Sequence, residues 1–155
     1  MSPLASRLQS DLTAAMKNRE EVRTATLRMA LAAISTEQVS GKVARDLTDD
    51  EVITVLTREV KKRREAATAF ADAGRTQTAE RERAEEAVLA EYLPAALSSA
   101  ELDALVSAAV SAAAEQGASG PGAMGAVMKA LQPQVKGRAD GADVARRVRC
   151  ALASA

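Results

Sequence analysis

Alanine is the most frequent residue of this chain, whereas aromatic residues are almost absent. The 155 residues include 36 alanines but only one Tyr, one Phe and no Trp. Alanine has the highest helix propensity, while β-strands favour β-branched and aromatic side chains. Apolar residues also recur at helical spacing along almost the whole chain. The sequence therefore predicts an all-α protein with a thin core of larger aliphatic residues.

Capping residues and a proline divide the chain into about seven predicted helices. The sequences TDDE at 48–51 and SSAE at 98–101 are capping boxes, which begin helices by satisfying two free amides reciprocally. Pro94 interrupts the helical pattern because proline removes an amide and disfavours helix at the preceding residue. We predict an N-terminal bundle of about four helices followed by a small three-helix C-terminal domain. The predicted limits are 1–93 for the first domain, 94–98 for a Pro-containing linker and 99–155 for the second domain.

Glycine and proline also punctuate the C-terminal part. The sequence GASGPG at 117–122 predicts a turn, which a short helix from about Ala123 to Gln132 follows. Pro133 is expected to stop that helix. In the next turn we expect Gly137 to adopt a positive φ and Asp140 to cap the last helix.

The composition excludes several classes of chemistry. Without His the chain has no Ser–His or Cys–His nucleophilic pair and no imidazole acid, base or metal ligand. A single cysteine, Cys150, excludes an internal disulfide and a cysteine zinc site. The carboxylate pairs are explained by helix capping or exposed faces, and no carboxylate falls on a clear apolar stripe, where its pKa would rise. The sequence thus predicts no catalytic residue, no metal and no cofactor.

The N-terminus and the hydropathy pattern indicate in which part of the cell the protein is expected. The first residues lack the apolar core of a signal peptide. No apolar run approaches the roughly 18 residues that a membrane-spanning helix needs. We therefore expect a cytoplasmic protein that does not contact a membrane.

Positive charge is clustered although the chain is neutral, with 21 basic and 21 acidic residues. Residues 129–149 hold six bases against two acids, whereas residues 94–128 hold three acids and no base. A second basic cluster lies between 58 and 64. Each cluster has two interpretations, namely a solvated helix face or a surface that neutralises phosphates. The candidate nucleic-acid contacts are Lys129, Lys136 and Arg138, with Lys61, Lys62, Arg63 and Arg64 as a second contact.

Arg63 differs from the other candidates because it falls on an apolar stripe. Val60 and Ala67 lie on the same stripe of the predicted helix. A long cation at such a position must extend its charge to solvent, form an ion pair or line a partner surface.

Four stretches of the chain resemble the GatB/YqeY family: MGAVMKALQPQVKGRADG at 124–141, LRMALAAI at 27–34, VKKRRE at 60–65 and EYLP at 91–94. Together they extend over nearly the whole chain, which is similar to a stand-alone YqeY-like protein. The matching positions in the C-terminal motif are Met124, Gly125, Val127, Met128, Lys129, Gly137, Ala139 and Asp140.

The resemblance implies a fold and a function for the C-terminal part. In this family that part resembles the tail domain of the B subunit of the glutamine-dependent amidotransferase that acts on misacylated tRNA. That tail is an all-helical appendage that contacts tRNA, and the catalytic centres lie elsewhere in the enzyme. Amidotransferase tails often have Lys where this chain has Arg138 and Pro where it has Gly141, which favours the stand-alone branch.

Much of the C-terminal motif also has a structural interpretation. Gly125 would allow close approach of another helix, while Val127 and Met128 would be core residues. Lys129, Lys136 and Arg138 are then the motif residues without an evident structural role.

Three hypotheses of function remain open. The first is a non-catalytic helical tRNA-binding or adaptor protein, which recognises shape and charge because it lacks stacking aromatics. The second is a protein–protein module that docks on an amidotransferase complex or another translation protein, with Arg63 as an interfacial anchor. The third rests on the family resemblance alone and is a carbon–nitrogen ligase activity with glutamine as amide donor.

Overall fold

The structure is a computed structural model that describes residues 1–154. Over these residues it contains α-helices and one 3₁₀ turn but no strand, so the predicted all-α fold is confirmed. None of these helices is long and apolar enough to cross a membrane. The 3₁₀ turn is Pro121–Ala123, and the helices are α1 Pro3–Lys17, α2 Glu21–Gln38, α3 Asp49–Asp72, α4 Thr76–Ala90, α5 Ser99–Glu115, α6 Met124–Val135 and α7 Gly141–Ala153.

Both predicted capping boxes are present. At the start of α3 the Glu51 amide donates to the Thr48 hydroxyl (3.3 Å) and the Thr48 amide donates to the Glu51 carboxylate (2.9 Å). Ser98 and Glu101 form the same pair of bonds at the start of α5, at 3.1 and 2.8 Å. These residues therefore fix where both helices begin.

Pro133 lies inside α6 and not at its end. The predicted end at Gln132 is wrong, since the helix continues to Val135. Proline removes the hydrogen bond to the Lys129 carbonyl and its ring crowds that carbonyl, but its fixed φ suits a helix. Because Val135 is buried and the Lys136 amide still donates to the Gln132 carbonyl (3.1 Å), the last turn persists.

The helices form two compact units, each with its own core. The first unit is Met1–Pro94 and the second begins at Ala95. The predicted domain limits at 93 and 99 stay a prediction. Fully buried core residues include Leu8, Leu27, Leu56 and Leu89 in the first unit and Val127, Leu131, Val144 and Val148 in the second.

The only tyrosine attaches the end of α4 to α1 and α2. Tyr92 is buried, and its hydroxyl donates to the Asp11 carboxylate (2.6 Å) and accepts from Nη2 of Arg23 (3.0 Å). The Arg7 guanidinium lies over the ring, 4.7 Å from its centroid. The Arg23 guanidinium also donates to the Glu91 carboxylate (2.8 Å). The EYLP stretch therefore stabilises the first unit.

Alkaline titration is expected to show that this tyrosine is buried. Burial, reinforced by the hydrogen bond to Asp11, raises the pKa of Tyr92 from 10.0 to about 12. Because the folded state holds the phenol proton more tightly, Tyr92 contributes stability below pH 10 that is lost as the pH rises toward 12. With one Tyr and no Trp in the chain, phenolate absorbance reports this residue alone.

The urea-unfolded chain is the control for this titration, because its tyrosine should ionise near the ordinary value of about 10. In Tyr92→Phe, the loss of stability that ionisation of Tyr92 causes as the pH rises from 10 toward 12 should be absent. A native midpoint equal to that of the unfolded chain would contradict the expectation.

Candidate nucleic-acid interface

Lys129 and Lys136 lie at the surface of the second unit without carboxylate partners. Lys129 is exposed on α6, and Lys136 is half-buried where α6 ends. Neither ammonium group forms an ion pair with any residue from 1 to 154, whereas two arginines of α7 do. Both lysines therefore contribute uncompensated positive charge.

The arginines of α7 that form ion pairs are neutralised within the second unit. Arg146 and Arg147 both bond the Asp143 carboxylate, and Arg147 also bonds Asp103. Partial burial raises the pKa of Asp143, but the hydrogen bonds from the two arginines outweigh it and the pKa is lowered. Asp143 is therefore a stable anion that offsets charge on this helix.

Arg138 has a structural role that the sequence does not indicate. Its Nε donates to the Ala95 carbonyl (2.9 Å), and the Leu97 amide donates to the Arg138 carbonyl (2.9 Å). These bonds attach the first residues of the second unit to the turn between α6 and α7. The interpretation of Arg138 as free of structural duty is therefore wrong. Its charge also contributes, after the hydrogen bonds of Ser98, to the lowered pKa of Glu101.

The second predicted basic cluster, on α3, is neutralised by carboxylates of the first unit. Its four exposed cations remain accessible at the surface, but their charges are compensated. The ion pairs are Arg58 with Glu37 (2.9 Å), Lys61 with Glu65 (3.9 Å), Lys62 with Glu59 (2.7 Å) and Arg64 with Glu86 (2.7 Å).

Arg63 is buried, with only 4% of its surface exposed. Its Nη1 donates to the Glu59 carboxylate (2.8 Å) and carbonyl (3.1 Å), and its Nε lies 3.3 Å from a Glu85 oxygen. The apolar stripe of α3 directs this side chain toward α2 and α4, where Glu85 of α4 compensates its charge. This burial contradicts Arg63 both as a phosphate contact and as an interfacial anchor.

Two carboxylates are buried beside Arg63, contrary to expectation. Glu59 and Glu85 are each less than one-tenth exposed. Burial raises the pKa of Glu59, but hydrogen bonds from Lys62 and Arg63 outweigh it, so the pKa is lowered. Glu59 thus stays ionised and is unsuited to act as a general acid near neutral pH. The described residues also contain no group of three or more metal-ligating side chains arranged around one point.

Comparison with known protein families shows to which family the chain belongs. The family model described as Yqey-like protein matches residues 5–152, which cover most of both units. The chain belongs to the YqeY-like family. No curated protein matches it.

Most motif positions of this YqeY-like protein stabilise the second unit. Gly137 has φ 71°, as the predicted turn requires, and Asp140 caps α7 by accepting from the Ala142 amide (3.4 Å). Both predictions are confirmed. The apolar motif residues that pack in or against the core are Met124, Val127, Met128 and Ala139.

Gly125 is the exception among the motif residues. A Cβ at this position would meet no atom within 4 Å, and the residue is exposed on α6. The expectation that it permits close approach of another helix of the chain is therefore wrong. Gly125 lies one helical turn before Lys129, so both residues share one face of α6.

Gly125→Ala is expected to increase the free energy of unfolding by about 0.5–1 kcal/mol, because alanine loses less backbone entropy in a helix. Urea unfolding followed by circular dichroism measures this change. Gly137→Ala is the control and should be destabilising, since its φ of 71° is unfavourable for a residue with a Cβ. A loss of stability in Gly125→Ala would show a packing role that the structure lacks.

Proposed function

We propose that this YqeY-like protein is a non-catalytic tRNA-binding or adaptor protein whose RNA contact is the exposed face of α6. One observation carries the proposal. Lys129 and Lys136 have no carboxylate partner among residues 1–154, whereas Arg146 and Arg147 on the neighbouring α7 are paired. Uncompensated lysines attract phosphates and release their counterions on binding.

The spacing of the two lysines along α6 supports contact with successive phosphates of an RNA backbone. Lys129 and Lys136 are two helical turns apart, so their Cα positions lie on one face and are separated by about 10 Å. Gly125 lies on the same face, where it leaves room for the backbone of an RNA to approach α6. This combination suits contact with several phosphates in succession.

The composition of the second unit favours recognition of backbone and shape. Residues 95–155 include no aromatic side chain, and stacking on aromatic side chains is a common means of recognising unpaired bases. Phosphate contacts position a protein on nucleic acid but do not distinguish bases. Binding should therefore depend strongly on salt and weakly on the base sequence.

Equilibrium binding of the full chain to tRNA over a series of salt concentrations tests this function. The logarithm of the association constant should fall linearly with the logarithm of salt, by about 0.7–0.9 per phosphate neutralised. No binding at low salt would overturn the RNA contact, and affinity purification with an amidotransferase complex or other translation proteins would then test the adaptor role. Glutaminase or amide-transfer activity of the purified chain alone would overturn the non-catalytic assignment.

A further inference from the structure

The guanidinium of Arg63 is buried with fewer good acceptors than it has N–H donors. Arginine has five such donors. Nη1 donates twice to Glu59, but Nε forms no hydrogen bond although a Glu85 oxygen lies 3.3 Å away. The partner of Nη2 is the sulfur of Met29, at 3.7 Å. A thioether is a weak acceptor, so Nη2 is poorly satisfied.

A neutral oxygen suits the position of the Met29 sulfur better than an anion does. Glu59 and Glu85 already place two carboxylates next to Arg63. A third negative charge would be repelled by both. A neutral oxygen would instead strengthen the hydrogen bond of Nη2 without adding charge.

Met29 is also accessible to a reagent in solution, since 53% of its surface is exposed. Met16 provides a close internal comparison. It is 50% exposed, and its sulfur lies 3.7 Å from Nη2 of Arg28. The two sites differ in that Arg28 is exposed to water whereas Arg63 is buried.

We propose that Met29 is an oxidation site whose sulfoxide is held by Arg63. A sulfur lone pair of Met29 attacks one oxygen of hydrogen peroxide, the O–O bond breaks and an S–O bond forms, and the proton of the transferred oxygen passes to the departing hydroxide, which leaves as water. The thioether is oxidised by two electrons and hydrogen peroxide is reduced to water. The Met29 sulfur lies 3.7 Å from Nη2, so a sulfoxide oxygen placed to one side of the line between these two atoms comes within hydrogen-bond distance of Nη2 and accepts from it. Methionine oxidation commonly disrupts packing, whereas here it strengthens the contact of α2 with α3.

Peroxide treatment of two full-length variants tests the proposal. Met16→Leu retains Met29, Met29→Leu retains Met16, and the other three methionines are common to both. Peptide mass spectrometry measures sulfoxide at each position, and urea unfolding measures stability before and after oxidation. The quantity compared is the change in the unfolding equilibrium constant that oxidation causes in each variant. In Met16→Leu, which retains Met29, this change should be about tenfold more stabilising than in Met29→Leu, as expected for a hydrogen bond to a charged donor. An equal change in both variants, or no sulfoxide at Met29, would overturn the proposal.

A second pair of variants tests the same contact without an oxidant. Met29→Gln supplies a neutral carbonyl oxygen, whereas Met29→Leu supplies no acceptor. Met29→Gln should therefore have the higher urea midpoint, while Met16→Gln and Met16→Leu should differ little. Equal midpoints for Met29→Gln and Met29→Leu would contradict the role of Arg63.

Discussion

Replacing Arg63 with alanine is expected to lower the free energy of unfolding by about 3–5 kcal/mol, because the change leaves buried carboxylates without their central cation. Glu59 loses the 2.8 Å bond and Glu85 loses the cation at 3.3 Å. Lys62 and Arg81 remain as partners at the edge of the cluster. Urea unfolding followed by circular dichroism measures the loss.

Arg64→Ala is the matched control for this change. Its side chain is 60% exposed and pairs with Glu86 at the surface. Exposed ion pairs contribute about 0–1 kcal/mol, so this variant should lose little stability. Similar losses in Arg63→Ala and Arg64→Ala would show that burial of Arg63 does not govern its contribution.

Replacing Lys129 and Lys136 together with glutamine is expected to weaken tRNA binding most at low salt. The slope of log affinity against log salt should decrease in magnitude by about 1.4–1.8, since each lysine accounts for one phosphate. Arg138 is left unchanged because it holds the Ala95 carbonyl, so its replacement would disturb the fold. Fluorescence anisotropy of labelled tRNA over a salt series measures the slope.

Lys17→Gln with Lys42→Gln removes the same net charge from the first unit. Both lysines are exposed and form no ion pair within the described residues. This control should leave the salt slope of tRNA binding unchanged, and circular dichroism should show native helix content for both double variants. A slope reduced equally in both double variants would mean that net charge, and not the face of α6, determines binding, and an unchanged slope after replacing Lys129 and Lys136 would overturn their contact with phosphates.

The helix starts could be predicted from sequence because they depend on residues that are neighbours along the chain. Each capping box closes within four residues, at 48–51 and 98–101. The end of α6 could not be predicted in the same way. Pro133 is tolerated because Val135 is buried in the second core, and that burial depends on tertiary packing.

In the candidate site, too, features set by neighbouring residues could be predicted, whereas contacts between residues far apart in the sequence could not. Arg63 stands out in sequence as a cation on an apolar stripe, but Glu85, on the next helix, is 22 positions away. Nothing in the spacing places these two charges together. The bond of Arg138 goes to a backbone carbonyl, which has no signature in a side-chain pattern. The open space beside Gly125 could be recognised only once all neighbouring helices were in place.

The positions of the two aromatic residues have a spectroscopic consequence. Phe70 and Tyr92 both belong to the first unit, Met1–Pro94. Tyrosine emission therefore follows the unfolding of that unit, whereas far-ultraviolet circular dichroism follows the helices of both units. A separation between the two transitions would therefore show that the units do not unfold in one cooperative step, and no label or added tryptophan is needed to detect it.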